Sequence, residues 1–310
     1  LLQRAETLAQ NDDSLLYAVA NAWFKRDQPA LGVAVFDRLE QRAGPLPAAV
    51  QLDHAALLHR AQDDAGVAQR LPLLLAQLQW SSAQEAQLLA LYGNHQERLI
   101  ERQRAAGDTR QAVQQARAPL PDIDARQGDA AQSARQRLRV QAQLLVAAGE
   151  YADATPVLQA LVVQLPDDAA LRMALGDALA RQGRSDEAAV QAQWLAQHLA
   201  GTDTSQQLAL LRLWQRAGQV KAARALSLQL LQAAPADTDV LLHAARLERS
   251  DRRYAQAAAL FQRAWRQEAR NAGMAVAGED AAAFAALPDT ARIAQNSPSA
   301  PSAAPATPTA

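Results

Sequence analysis

Histidines are the residues of this chain with the clearest potential for metal chemistry. Two imidazoles four residues apart on a helix, or a His-Glu-x-x-His motif, would predict a metal site because both side chains would share one helix face. None of the five histidines has such a partner, and the chain contains no cysteine. We therefore predict surface or packing roles for all five, which are His54, His59, His95, His198 and His243.

Adjacent aspartates could serve as paired carboxylates in acid–base catalysis. Each pair falls between two apolar helical patterns, where an aspartate caps the following helix. The pairs are Asp12–Asp13, Asp63–Asp64 and Asp167–Asp168. The chain also lacks the glycine-rich motifs that hold dinucleotides or nucleoside triphosphates. We therefore predict no catalytic residue, no cofactor and no bound metal.

The composition favours helices over strands. Apolar residues make up 49% of the chain, mostly alanine and leucine, whereas aromatic residues make up 4%. Alanine, leucine, glutamine and arginine are strong helix formers. The formal net charge of −1 argues against nucleic acid or a membrane surface as the main partner. No apolar run approaches the length of a membrane-spanning helix.

Four short segments recur at nearly constant spacing in the second half of the chain. They begin at Gly149, Gly183, Gly218 and Arg252, which lie 34, 35 and 34 residues apart. Each has an alanine five residues later, where a small side chain lets two helices approach closely. These alanines are Ala154, Ala188, Ala223 and Ala257. The glycine at the start of the first three segments accepts the left-handed conformation that ends a helix.

This pattern resembles the tetratricopeptide repeat family, whose unit of about 34 residues contains two helices. The resemblance implies an all-α, right-handed superhelical solenoid of helix-turn-helix repeats. We expect helix pairs with turns at Gly149, Gly183, Gly218 and Arg252. We also expect Ala188 and Ala223 to be buried where helices cross.

The same pattern predicts how the chain is organised. The stretch Ser82-x-x-Glu85 suggests a capping box at the start of a long helix. Residues 1–12 form the second helix of a truncated repeat, 13–118 are degenerate repeats that include a long helix over 82–106, and 119–134 are a break between repeats. Residues 135–270 form four regular repeats, 271–295 can form a closing helix, and 296–310 form a disordered Pro/Ala/Ser/Thr tail or linker. The sequence thus reads as a piece of a longer solenoid.

In this family the first helix of each repeat lines a concave groove. Carrying the groove positions over implies a binding surface rich in arginine, whose planar fork suits carboxylates and saccharide hydroxyls. A solvated helix face is the alternative interpretation. The implied polar groove residues are Arg139, Gln143, Asp177, Arg181, Arg212, Gln215, Arg216, Arg246 and Arg249, with Met173, Leu208 and Leu242 as apolar members. The groove lacks the lysine and asparagine with which chaperone-binding members clamp a carboxylate.

Within the family, residues 97–108 and 237–246 have an Ala/Gln/Arg/Leu-rich sequence that resembles the periplasmic repeat region of the exporter component of bacterial cellulose synthase. This resemblance implies a non-catalytic periplasmic scaffold that contacts synthase or envelope proteins and a polysaccharide chain. The absence of cysteine fits an oxidising compartment, although a cytoplasmic location is the alternative.

Two other functions are compatible with the same repeats. One is the superhelical domain of a peptidoglycan lytic transglycosylase without its catalytic domain, whose Glu-Ser dipeptide does not occur in this chain. The other is an adaptor for a different secretion or polysaccharide export system, such as one for poly-N-acetylglucosamine.

Overall fold

The computed structural model describes residues 2–9, 12–77, 80–123, 130–199 and 203–271, and in these ranges its regular elements are α-helices without any strand. None of these helices combines the length and the apolarity that crossing a membrane requires. The helices are α1 (Leu2–Leu8), α2 (Asp13–Lys25), α3 (Pro29–Ala43), α4 (Ala48–Arg60), α5 (Asp64–Leu75), α6 (Ser82–Ala105), α7 (Thr109–Ala116), α8 (Ala130–Ala148), α9 (Tyr151–Gln164), α10 (Ala169–Arg181), α11 (Ser185–His198), α12 (Thr204–Arg216), α13 (Val220–Ala233), α14 (Thr238–Ser250) and α15 (Tyr254–Asn271).

The predicted turns between helices are confirmed. Gly149, Gly183 and Gly218 have φ values of 84°, 76° and 71°, in the left-handed region that glycine adopts without strain. Arg252 holds the equivalent position before α15 with a φ of 61°. In each turn a backbone N–H reaches back to the preceding helix, as in the 3.0 Å bond from Arg184 N to Leu179 O. The second half of the chain is therefore a succession of helix pairs.

The helices group into two compact units, Leu1–Arg184 and Ser185–Ala310. In the first unit, apolar side chains of α2, α3 and α4 form one core cluster around the fully buried Phe36. A second cluster joins α4, α5 and α6, and it also takes in Ile123 from the segment after α7. In the second unit, Leu208, Leu211 and Leu230 pack with Val240 between α12, α13 and α14.

Small residues mark the helix contacts, as predicted. Ala188 and Ala223 are fully buried, and so is Ala154. Ala257 is 3% exposed. Because each has only a methyl side chain, the backbones of adjacent helices can approach closely there.

Aspartate caps open several helices. Asp12 accepts a hydrogen bond from Leu15 N at 3.0 Å, Asp63 from Gly66 N at 2.9 Å, and Asp168 from Leu171 N at 3.0 Å. One residue of each predicted aspartate pair is therefore a helix cap.

The predicted capping box at Ser82 and Glu85 is wrong by one residue. Ser81 is the N-cap of α6 and exchanges hydrogen bonds with Gln84. Glu85 instead lies 3% exposed between α6 and α8, where it accepts a hydrogen bond from Ser133. Two consecutive serines made the register ambiguous in the sequence, and the packing of α8 against α6 decides it.

Gly93 lies at a close contact between α6 and α8. A Cβ atom added at Gly93 would lie 2.9 Å from Val140 Cγ1 and 3.2 Å from Cγ2. Val140 is 1% exposed. Gly93, a residue of low helix propensity, therefore lies at a contact where there is no room for a side chain.

Several ion pairs in the first unit join residues about one repeat apart. Arg60 pairs with Asp27 at 3.0 Å, Arg98 with Asp64 at 2.6 Å, and Arg117 with Glu150 at 2.6 Å, over separations of 33, 34 and 33 residues. Each repeat is thus tied to the next by side chains as well as by its apolar face.

Helix α6 covers 82–105, and α8 begins at residue 130, inside the predicted break over 119–134. The helix pair α10 and α11, predicted as one repeat, is divided between the two units. The closing helix over 271–295 falls outside the described residues except for position 271, and the tail over 296–310 falls outside them entirely.

Candidate functional site

The predicted groove residues of the first unit are engaged within the protein. Arg139 pairs with Asp168 at 2.5 Å, and Asp168 is also the cap of α10. Gln143 donates hydrogen bonds from its amide to Asn94 and Glu97 on α6. These side chains hold α8 against its neighbours, so they have little freedom to bind a partner.

Arg181 and Asp177 pair with each other along α10. Arg181 Nε lies 2.9 Å from Asp177 Oδ2, and the guanidinium lies 5.1 Å from the ring centre of Tyr151 on α9. An arginine over an aromatic face is held by a cation–π attraction in addition to the ion pair. Met173, the apolar groove position of this helix, is partly buried.

The predicted groove residues of the second unit are more accessible. Arg212 and Arg216 lie exposed on α12, and Arg246 and Arg249 lie exposed on the neighbouring α14. Arg212, Arg246 and Arg249 form no ion pair with another residue that the structure describes. Four guanidinium groups are thus presented by two first helices one repeat apart.

His243 on α14 is influenced by two of these arginines. Burial lowers the pKa of His243, and the charges of Arg212 and Arg246 lower it further, while Asp239 opposes them. His243 and Arg212 also line the same cavity between the two helices. His243 is therefore neutral near pH 7 and adds no positive charge to the pair of arginines.

Acidic residues lie at the other end of the same two helices. Asp203 precedes α12, and Asp237 caps α14 through hydrogen bonds from Asp239 N at 2.9 Å and Val240 N at 3.1 Å. A cavity of about 360 Å³ is lined by these aspartates together with Arg212 and His243. The surface formed by α12 and α14 is thus acidic at the helix N-termini and basic towards the C-termini. We call it the α12/α14 surface.

The apolar groove positions of the second unit have different environments. Leu208 is 6% exposed and belongs to the core, although it also lines the cavity. Leu242 is partly buried and lines a larger groove of about 1100 Å³ between α14 and α15. Phe261 and Trp265 lie in that groove, and Trp265 is 38% exposed. Gln215 is partly buried on α12.

Two clusters of histidines and carboxylates in the first unit were not predicted. His54 lies beside Asp37 and Glu40, and His59 lies beside Asp64 and His95. The members come from different helices, so a search for close sequence spacing on one helix misses them. Some signal was available, because His59 and His95 lie about one repeat length apart.

Comparisons with known proteins support the repeat architecture. Residues 139–202 match the family model described as tetratricopeptide repeat. No curated protein matches the chain in sequence. A tetratricopeptide repeat protein from Parabacteroides merdae ATCC 43184 superposes with a TM-score of 0.50 at 12% identity, covering 88% of this chain and 96% of that chain. At this identity the likeness shows the fold alone, and with the helix pairs it confirms the predicted all-α class.

The tetratricopeptide domain of P58(IPK) is a second structural neighbour. It covers 85% of this chain and 86% of its own length at 10% identity. Its TM-score is 0.24.

Proposed function

Because the chain carries tetratricopeptide repeats in an all-α fold of helix pairs, we propose that it is a non-catalytic scaffold whose α12/α14 surface binds an extended segment of another protein. The observation that carries this proposal is that four arginines, Arg212, Arg216, Arg246 and Arg249, lie exposed on the neighbouring helices α12 and α14. Repeat proteins of stacked helix pairs use the face formed by successive elements as a binding surface. Binding a partner on the α12/α14 surface does not require a catalytic group.

The charge pattern of the α12/α14 surface defines the partner's chemistry. Isolated surface charges contribute little, but several guanidinium groups on adjacent helices create a field that orients a charged ligand. Each guanidinium can also donate a pair of hydrogen bonds to a carboxylate. The aspartates at the helix N-termini would repel acidic groups there. We therefore expect a polypeptide whose acidic side chains lie over Arg212, Arg216, Arg246 and Arg249.

The cellular setting is part of the same proposal. We place the scaffold in the periplasm, in an exopolysaccharide machine of the cellulose type, with synthase or envelope proteins as partners and the polysaccharide chain as a further ligand. This setting is supported by the Ala/Gln/Arg/Leu-rich composition of residues 97–108 and 237–246 and by the absence of cysteine. Gene neighbourhood tests this setting, because a synthase operon would support it. A neighbouring murein hydrolase gene would favour the lytic-enzyme alternative, and another export operon would favour the adaptor alternative.

Charge reversal tests the binding surface. The double variant Arg212→Glu/Arg246→Glu changes the net charge by −4 through two exposed side chains. Its matched control is Arg266→Glu/Arg270→Glu, which makes the same change on exposed positions of α15. Each protein is used to capture cross-linked partners from envelope extracts, and the recovered proteins are quantified by mass spectrometry. Circular dichroism checks the fold of every variant.

We expect the α12/α14 double variant to lose the partners that the wild type and the control retain, with unchanged helicity. Equal recovery by both double variants would refute the assignment of the site to α12 and α14. Loss of helicity in the α12/α14 variant alone would show that these arginines support the fold, and the binding role would be abandoned.

A further inference from the structure

His54 is the most unusual buried polar side chain in the first unit. Its side chain is fully buried on α4, and the ring of Phe36 stacks on it at 5.0 Å with an interplanar angle of 13°. Neither ring nitrogen has a hydrogen-bond partner among the residues that the structure describes. Buried polar atoms are nearly always hydrogen-bonded, so an imidazole with two unpartnered nitrogens needs an explanation.

Each nitrogen of this imidazole faces a carboxylate on α3. His54 Nε2 lies 3.3 Å from Asp37 Oδ1, and Nδ1 lies 4.0 Å from Glu40 Oε2. Burial, with a further contribution from Arg70, lowers the pKa of His54 to about 4, so the ring is neutral near pH 7. A neutral imidazole has one N–H and one lone pair. Whichever tautomer forms, the lone pair of one nitrogen points towards a carboxylate oxygen.

The surroundings of the ring carry an excess of negative charge. Glu40 is paired with Arg70 through hydrogen bonds of 3.2 and 2.7 Å. Asp37 has no such guanidinium partner within the described ranges, although its Oδ1 lies 3.3 Å from His54 Nε2. Two carboxylates therefore face the imidazole with one guanidinium between them, and a cation beside the ring would relieve their repulsion.

We propose that His54, Asp37 and Glu40 bind a divalent transition-metal ion of the zinc type. One nitrogen from His54 and one oxygen from each carboxylate all lie within 4.8 Å of one another. One imidazole and two carboxylates, with water completing the shell, are ligands that zinc accepts. The lone pair that faces a carboxylate would then have a cation to bind. Asp37 is 48% exposed and gives the ion a path to the buried ring.

The second cluster has a richer set of ligands but the wrong charge. His59 and His95 flank Asp64, yet Arg98 lies 2.6 Å from Asp64 Oδ1 and 3.2 Å from His59 Nε2. Arg102 pairs with the other oxygen of Asp64. Two guanidinium groups thus neutralise the single carboxylate and repel a cation. This cluster supplies a matched control within the same unit.

A metal ion at His54 would join α3 to α4, the helices where one repeat meets the next. An ion that binds only the folded state stabilises it in proportion to the logarithm of the metal concentration. The proposal does not depend on the α12/α14 surface, which lies in the other unit.

The test uses the full chain after treatment with a chelator. Zn²⁺ is titrated by calorimetry, and Co²⁺ absorption is used as a second probe of nitrogen and oxygen ligands. Three variants are compared with the wild type, namely His54→Gln, Asp37→Asn and the control His95→Gln. Circular dichroism monitors folding, and because Asp37 is half exposed its variant remains informative even if the buried substitution at His54 disturbs the fold.

We expect one Zn²⁺ per chain in the wild type and in His95→Gln, and a loss of affinity of about tenfold or more in the other two variants. We also expect Zn²⁺ to raise the melting temperature of the wild type but not that of Asp37→Asn. Absence of Zn²⁺ binding by the wild type would overturn the proposal. Wild-type affinity in a folded Asp37→Asn variant, or loss of binding in His95→Gln, would overturn it as well.

Discussion

The substitution Gly93→Ala sets two opposing effects against each other. In an exposed helix, replacing glycine by alanine stabilises by about 1 kcal/mol because alanine has the higher helix propensity. At Gly93 the new Cβ would lie 2.9 Å from Val140 Cγ1, whereas carbon atoms prefer separations of about 3.5–4.0 Å. One of the two helices must therefore shift by roughly 0.6 Å or more at this contact.

Val140 has no easy way to make room. It is 1% exposed, and a β-branched side chain in a helix is nearly confined to one χ1 rotamer. Inserting a methylene into a well-packed contact costs about 1–3 kcal/mol. We therefore expect a net loss of about 1 kcal/mol in the local stability of α6 and α8.

The measurement is amide hydrogen exchange, read by mass spectrometry in peptides from α6 and α8, because it reports local stability. The comparison is repeated in a Val140→Ala background, where the obstructing methyl groups are absent. There we expect Gly93→Ala to become neutral or stabilising by up to about 1 kcal/mol, since only the propensity term remains. Slower exchange in Gly93→Ala alone, or the same effect in both backgrounds, would refute the close-contact explanation.

Two further predictions concern stability. Ala188→Leu and Ala223→Leu should each lower the free energy of unfolding of the protein by about 1–3 kcal/mol, because both alanines are fully buried at helix contacts. Unchanged melting temperatures in both variants would contradict the assigned helix contacts. Burial, reinforced by nearby Arg98, lowers the pKa of His59 and His95 below 6.5 in the folded state. The unfolded chain therefore takes up protons first as the pH falls below 6.5, and stability declines with it. Urea titrations at pH 7.5, 6.5 and 5.5 should show that the free energy of unfolding declines as the pH falls. The decline per pH unit should be smaller in His59→Gln/His95→Gln than in the wild type. An equal decline in both proteins would exclude these histidines as its source.

The helix pairs were predictable because the features that define them are local. Gly149, Gly183 and Gly218 are recognised by spacing, and a left-handed residue after a helix needs only its own chain neighbours. The same holds for aspartate caps such as Asp63 and Asp168, whose hydrogen bonds span three residues. Only the choice between two adjacent serines at the start of α6 required knowledge of the neighbouring helix.

The site was less predictable because side-chain partners come from other repeats. The sequence predicts groove positions for both Arg139 and Arg212. Arg139 meets Asp168 across a distance of 29 residues, whereas Arg212 meets no described acidic partner. Similarly, His54 and Asp37 approach only because α3 packs on α4. Periodicity predicts which helix face a residue occupies, but it does not predict what lies opposite that residue.

The ion pairs between residues one repeat apart have a mechanical consequence. Arg60–Asp27, Arg98–Asp64 and Arg117–Glu150 each connect neighbouring repeats and none connects distant ones. Tension applied along the first unit would load these connections one after another rather than all together. We expect such a chain to extend by detaching single helix pairs at low force and to recover them when released, because each detached pair keeps its docking surface on the neighbouring repeat.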